Sequence, residues 1–358
     1  MRDRVRQWVR PAIAALDPYS SARDQTGEEV LLDANEFPWS SFGRYPEPQS
    51  ESLKTCFANL YGVNSDQILM SRGSDEAIDV LIRTFCEPGQ SAVVVHPPTF
   101  EIYAHLARIQ GTRVIEVPLD INFDLDHLQM RKVLFELNPQ IIFLCSPNNP
   151  TGSCLSLNRM EELISAAREK CLVVVDEAYV EFSQQESWVK RLSEFPNLVV
   201  LRTLSKYWGA AGLRCGVAIA DPLIIAELKK VLAPYPIAQP LVDLIKAHLK
   251  NSPPSLENLI VNRERIIQCL SSMSCVTKVW PSDANFILVR FLDASWAYKE
   301  LLKLGMRVRN RSHLWPNSLR ISLGFEKETK NLMESLAQLE TNWASREQKR
   351  REGSEAKR

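Results

Sequence analysis

The sequence predicts an α/β protein. A large domain built on a mostly parallel sheet is covered by helices, and a smaller α+β domain sits beside it. Three observations carry this. From residue 90 to 220, short β-branched apolar runs alternate with stretches of helical periodicity, the signature of β-α-β units whose strands are buried on both faces. Pro234, Pro236, Pro240, Pro253 and Pro254 then mark a junction, after which the texture changes. Finally, 358 residues exceed what one hydrophobic core usually serves. The expected division is a large domain over 49–235 and a discontinuous smaller one over 1–48 and 236–344. A charged tail over 345–358 is expected to be disordered, because it has no apolar face to bury.

The elements follow in order. The Arg-rich first sixteen residues read as an amphipathic helix rather than a transit peptide, since Asp3 is wrong for targeting and no cleavage region follows. Residues 50–62 form a helix with Ser50 as N-cap, Leu53, Phe57 and Leu60 on one face, and Gly62 as its stop. Another spans 74–85, with Ala77, Ile78, Leu81, Ile82 and Phe85 on one side. Strands are expected at 92–95, 114–117, 141–145, 172–175, 198–201 and 217–220, with a helix over 155–170. Past the junction come a charged helix over 256–270, a strand over 285–291, two short extended segments near Met306 and Leu319, and a last helix over 326–343.

Composition excludes several functions. With 43 Lys+Arg against 43 Asp+Glu the chain is neutral, which argues against a nucleic-acid partner bound through bulk charge. No apolar run approaches the length of a membrane span. The 8 cysteines contain no C-x-x-C pair and sit in apolar surroundings, as buried free thiols do in a reducing cytoplasm. The five histidines show no metal-site spacing, and neither a G-x-G-x-x-G nor a P-loop motif is present.

In open parallel sheets, ligands bind past the carboxyl ends of the strands. Three successive strand ends here carry Ser-Pro-Asn148-Asn149-Pro-Thr-Gly152, Asp176-Glu-Ala-Tyr179, and Arg202-Thr203-Leu-Ser205-Lys206. A lysine between strand and helix, near Arg214, should have a lowered pKa, and a neutral amine is what a Schiff base needs. A buried carboxylate could hold a pyridinium nitrogen protonated, while an amide and a phenol bond a ring oxygen. Those groups tune pyridoxal 5′-phosphate (PLP) as an electron sink. Gly73-Ser74-Asp75 opens a helix whose free N–H groups suit a phosphate, and Thr203, Ser205 and Arg214 add donors. The acidic pair Asp75-Glu76 suits such a site only if its side chains point away.

The chain resembles the fold-type I PLP-dependent aminotransferases, and among them the histidinol-phosphate aminotransferases. The likeness runs through Pro18-Tyr-Ser-Ser-Ala-Arg23, Asp33-Ala-Asn-Glu-Phe-Pro38, Arg44-Tyr-Pro-Glu-Pro48, Arg72-Gly-Ser-Asp-Glu76, Pro97-Pro-Thr-Phe100, Ser146–Gly152, Asp176–Tyr179, Thr203–Lys206, Ala211–Arg214, Ala284-Asn-Phe286 and Leu319-Arg-Ile321. The resemblance implies a seven-stranded large-domain sheet and transamination between histidinol phosphate and 2-oxoglutarate in histidine biosynthesis. Relatives that transaminate aromatic amino acids or decarboxylate threonine phosphate share the cofactor motifs.

It also implies residue roles. Lys206 carries the cofactor and moves the proton, Asp176 pairs with the pyridinium, and Asn149 and Tyr179 bond its ring oxygen. Phe100 stacks on the ring, in a position where the family often has Tyr. Ser74, Asp75 (by its backbone), Thr203, Ser205 and Arg214 hold the cofactor phosphate, and Tyr45 reaches the phosphate bound to a neighbouring subunit, so a homodimer is implied. Arg320 grips the substrate carboxylate, Arg309 and Tyr19 the substrate phosphate, and Asn35 lies near the substrate. Arg307, Arg309 and Arg311 alternate, so an extended strand points all three one way. The spacing leaves open which of them reaches the phosphate and which form a solvated basic edge.

Overall fold

The computed structural model describes residues 2–23 and 30–355. Its helices are α1 (Arg2–Trp8), α2 (Pro11–Ala14), α3 (Glu51–Tyr61), α4 (Ser74–Phe85), α5 (Ile102–Ile109), α6 (His127–Glu136), α7 (Leu157–Ala167), α8 (Pro222–Val231), α9 (Gln239–Leu249), α10 (Glu257–Ser272), α11 (Ala294–Lys303) and α12 (Glu326–Glu355). Its strands are β1 (Ile68–Ser71), β2 (Ala92–Val95), β3 (Arg113–Glu116), β4 (Ile141–Cys145), β5 (Leu172–Asp176), β6 (Leu198–Thr203), β7 (Gly216–Ala220), β8 (Val276–Val279), β9 (Phe286–Phe291), β10 (Arg309–Asn310) and β11 (Ser318–Ser322).

Seven strands form the large sheet in the order β1-β7-β6-β5-β4-β2-β3. All neighbours are parallel except β7, which runs antiparallel to both β6 and β1. Every residue of β2, β4, β5, β6 and β7 is buried, because helices cover both faces; that is why these strands read as unbroken apolar runs. Two cores result. One holds Leu53, Phe57, Met160 and Leu163 against Val173 and Val175; the other holds Ile78, Leu81, Phe85 and Ile224 against Val174 and Leu201. Gly62 ends α3 in the left-handed conformation (φ 68°). Ser50 precedes α3 without capping it through its side chain, which contacts Ser52 Oγ at 3.2 Å instead.

The second sheet is antiparallel, in the order β10-β11-β9-β8, with α10, α11 and α12 packed on it around Ile287, Val289, Leu319, Leu336 and Trp343. The edge strand β8 was not expected: its central residues are exposed, so it lacks a continuous apolar run. The extended segment expected near Met306 begins at Arg309.

Three expectations about organisation are corrected. The amino terminus does not pack on the smaller unit. Val5, Trp8 and Val9 are buried against the α4 and α8 side of the large sheet, and the Trp8 carbonyl accepts from Gln140 Nε2 at 2.9 Å. Likewise α9, beyond the proline junction, puts Val242 and Ile245 into the large-sheet core. Thirdly, the tail is helical through Glu355. Arg346 anchors it, ion-paired to Asp293 at 2.8 Å and lying over the Trp296 and Trp343 rings at 5.2 and 5.1 Å. Same-face pairs such as Arg350–Glu347 extend it. Residues 356–358 of that tail lie outside the described residues.

Candidate active site

Because β4, β5 and β6 lie side by side, the segments that follow them meet at one sheet edge. They line a cavity of about 360 Å³ together with the start of α4 and the edge of the small sheet. Of the expected site residues, Ser74, Asp75, Phe100, Asn149, Asp176, Tyr179, Thr203, Ser205, Lys206, Arg214, Arg309 and Arg320 all line it.

Asp176 ends β5 and is 2 % exposed. Its Oδ1 accepts from the Ala178 N–H at 3.1 Å and its Oδ2 from the Tyr103 hydroxyl at 2.6 Å. Burial pushes its pKa up, and the Tyr103 bond opposes that rise. Both hydrogen-bond partners are neutral donors, and the Lys206 charge is the last and smallest of the influences that lower its pKa. A carboxylate this buried is costly without a positive partner, so its environment calls for one in the cavity. Tyr103 is held in turn by stacking on Phe143, 4.8 Å between centroids.

The Lys206 ammonium lies 5.5 Å from the Tyr179 ring centroid. Burial lowers its pKa, and the Arg320 charge lowers it further against the opposing pull of Asp176. Asn149 joins the two sides of the cavity: its Nδ2 donates to the Tyr179 hydroxyl at 3.5 Å and its Oδ1 accepts from Arg320 Nη1 at 2.5 Å. Arg320 also lies over the Phe286 ring at 5.1 Å, a stacking that suits a planar guanidinium.

The start of α4 forms a cradle. Gly73 has φ 82°, and a Cβ there would lie 2.7 Å from Arg214 Nη2. A Cβ on Gly216 would lie 2.7 Å from the Ser74 nitrogen, so a bare glycine lets β7 pass beneath the helix start. Arg214 itself is held in the left-handed region (φ 48°), a strained setting for a non-glycine residue. Its Nη1 donates to Ser205 Oγ at 3.4 Å and to the Ala211 carbonyl at 3.2 Å. Of the acidic pair only Glu76 points away, turning back to accept from the Arg72 N–H at 2.6 Å and Nε at 2.8 Å; the Asp75 carboxylate lines the cavity, 3.8 Å from Arg214.

On the small sheet, Arg309 and Arg320 sit directly opposite each other across β10 and β11. Arg311 lines the cavity as well, and Arg307 does not. The single chain leaves three expected residues outside. Tyr19 is 70 % exposed, in a depression with Lys229 and Pro234; Asn35 is exposed; Tyr45 stacks on Tyr235 at 4.8 Å. Sequence reasoning missed Tyr103, which looks like any core aromatic of a helix, and Glu101, which pairs with Arg311.

Comparison with known proteins bears on this edge. The model of the aminotransferase class I and II family matches residues 19–336. A histidinol-phosphate aminotransferase of Parabacteroides distasonis is 41 % identical over 94 % of this chain and 99 % of its own length. The chain belongs to the histidinol-phosphate aminotransferases. Another member, from Stenotrophomonas maltophilia, is 40 % identical over 94 % of this chain and 97 % of its own. In fold, the chain is similar to the crystal structure of histidinol-phosphate aminotransferase from Sinorhizobium meliloti in complex with pyridoxal-5′-phosphate (TM-score 0.73, 24 % identity, 84 % of each chain covered).

The family's cofactor fits the cavity on this chain's own terms. Asp176 needs a cation there, the helix start with Arg214 offers phosphate donors, and Lys206 supplies an amine of lowered pKa. Among the described residues no group of His, Cys, Asp and Glu is arranged to hold a metal ion, and no helix is long and apolar enough to cross a membrane.

Proposed function

We propose that this chain transfers the amino group between L-histidinol phosphate and 2-oxoglutarate, giving imidazole acetol phosphate and L-glutamate, as a step of histidine biosynthesis. The observation that carries this is the meeting of Lys206 and Asp176 with guanidiniums on one cavity wall. PLP, when bound, supplies an electron sink for the carbon bearing the amino group. Asp176 holds the ring nitrogen charged, and Tyr103 and the Ala178 N–H fix that carboxylate's orientation. The cradle of Ser74, Asp75 N–H, Thr203, Ser205 and Arg214 takes the cofactor phosphate. Asn149 and Tyr179 bond the ring oxygen, and Phe100 stacks on the ring.

Lys206 would hold the cofactor at rest and then, as a free amine, would take the proton from the substrate's Cα and return it two bonds away, on the far side of the nitrogen, in a 1,3-shift. Its lowered pKa favours the neutral form this work needs. Arg320 and Arg309 bind anions with bidentate forks, which suit carboxylate and phosphate alike. That shared chemistry lets one site take glutamate and a phosphate monoester in turn.

The working unit is a homodimer. Val30, Leu32, Phe37, Trp39 and Phe42 expose large apolar surface on the amino-terminal arm, which a second copy would cover. The same arm carries Tyr19, Asn35 and Tyr45, which would then reach the partner's cavity. The free, largely buried thiols fit a reducing cytoplasm. Lys206→Ala tests the assignment. It is expected to lower glutamate-dependent transamination by about 10⁴-fold or more, and turnover close to that of the unmodified enzyme would refute it.

A further inference from the structure

Arg311 stands apart from Arg309 and Arg320, the other two cavity arginines of the small sheet. It is 7 % exposed, yet it lines the cavity. Its Nη1 donates to Glu101 Oε2 at 2.7 Å, while its buried Nε has no hydrogen-bond partner. Glu101 follows Phe100 and precedes α5 on the large-sheet side; its second oxygen contacts His313 Nε2 at 3.0 Å. Apart from Arg214 in the phosphate cradle, the cavity thus has three guanidiniums, all on the small-sheet side, and one of them is already compensated by Glu101 behind the wall. Two positive charges remain for a ligand.

Glutamate brings two carboxylates, and a phosphate monoester of an amino alcohol brings one dianion. Both carry two negative charges. A substrate with one carboxylate and an apolar side chain leaves one guanidinium, exposed Arg309 or half-buried Arg320, without its anion and forgoes that pairing.

We propose that Arg311, with Glu101 as its resident counter-ion, is a third substrate-anion residue, and that this pair sets the site's preference for doubly negative substrates. The proposal rests on the transaminase reading above. The Nε is enclosed, so the donor available to the anion distal to the reacting carbon is Nη2, which Glu101 leaves unused. Glu101 keeps the guanidinium from drawing in a second, non-productive anion. The competing account is a structural one, in which the pair only clips the small sheet to the large one.

The test uses the PLP-loaded enzyme and reads the absorbance change of bound cofactor on adding glutamate or phenylalanine, with inorganic phosphate as a competing anion. In Arg311→Gln, half-saturation by glutamate and inhibition by phosphate should both weaken by about 10- to 100-fold, with phenylalanine changed less than about threefold. Arg311→Lys, which keeps the charge and disturbs packing least, should recover part of the loss. Glu101→Gln should tighten phosphate inhibition by about three- to tenfold, as one more positive charge is left uncompensated. Equal losses for glutamate and phenylalanine in Arg311→Gln, or unchanged phosphate inhibition, would overturn the proposal in favour of the clip. Neither arm uses histidinol phosphate, so a wrong natural substrate would show separately, as failure of the unmodified enzyme with that compound.

Discussion

The two walls of the cavity are built differently. The cofactor wall grows from the ends of three long-range, fully buried strands, and one chain supplies all of it except Tyr45: Asp176 has both oxygens bonded, and Arg214 is locked against Ser205 and Ala211. The substrate wall rests on a two-residue strand, β10, and on its pairing with β11. Its other expected contributors, Tyr19 and Asn35, lie on the surface of the same chain, as does Tyr45, the residue expected at the cofactor phosphate of a neighbouring subunit. One wall is built mainly by the core of a single chain, while on the proposed homodimer the other is finished by a second subunit. On that proposal the chemistry common to the whole superfamily sits on the rigid wall, and the choice of substrate on the assembled one.

The largest expected effect on this contrast, after loss of Lys206, is at Asp176. Asp176→Asn removes a buried charge whose partner is the cofactor ring. It should cut turnover by about 10²- to 10³-fold, the scale of breaking a buried ion pair, and weaken PLP binding measured by titration of the apoenzyme. An effect confined to KM would place the charge on the wrong wall.

Next comes the reach proposed between subunits. Tyr45→Ala should lower activity about tenfold. Mixed with Lys206→Ala chains, it should regain activity above that of either variant alone, because hybrid dimers contain one intact site. No gain on mixing would mean that Tyr45 serves its own subunit.

The smallest effect is a shift in pH dependence. Lys206 titrates below its ordinary value because of burial and the Arg320 charge. The neutral amine is the reactive form, so capture of PLP by the apoenzyme should accelerate as pH rises through a midpoint below that of a free lysine. Arg320→Leu removes one of the lowering charges and should move that midpoint up. A midpoint that stays put would show that Arg320 does not act on Lys206.

The two walls also differed in how legible they were. The strand ends were readable because doubly covered strands leave continuous apolar runs, and polar residues after such runs stand out. Asn149, Asp176 and Lys206 are of this kind. The antiparallel course of β7 left no such mark, since its composition is that of its parallel neighbours. β1, Ile-Leu-Met-Ser, has no β-branched run beyond one residue. Tyr103 could not be told from a core aromatic, because its role depends on a hydroxyl meeting a carboxylate 73 positions away. Among Arg307, Arg309 and Arg311, alternation could not choose: β10 is only two residues long, and the chain turns after it. The ordered tail was missed because its anchor is one cation between two tryptophans rather than an apolar face.

On the reading proposed above, this cavity joins aminotransferase chemistry to a substrate wall made for a phosphate monoester. A half-reaction titration tests it most directly, following the absorbance of enzyme-bound PLP as histidinol phosphate, phenylalanine and threonine phosphate are added in separate runs. The account predicts conversion of the cofactor to its amino form at the lowest concentration with histidinol phosphate, and release of the corresponding oxo compound. Conversion favouring phenylalanine, or carbon dioxide released from threonine phosphate with no amino form of the cofactor accumulating, would contradict it.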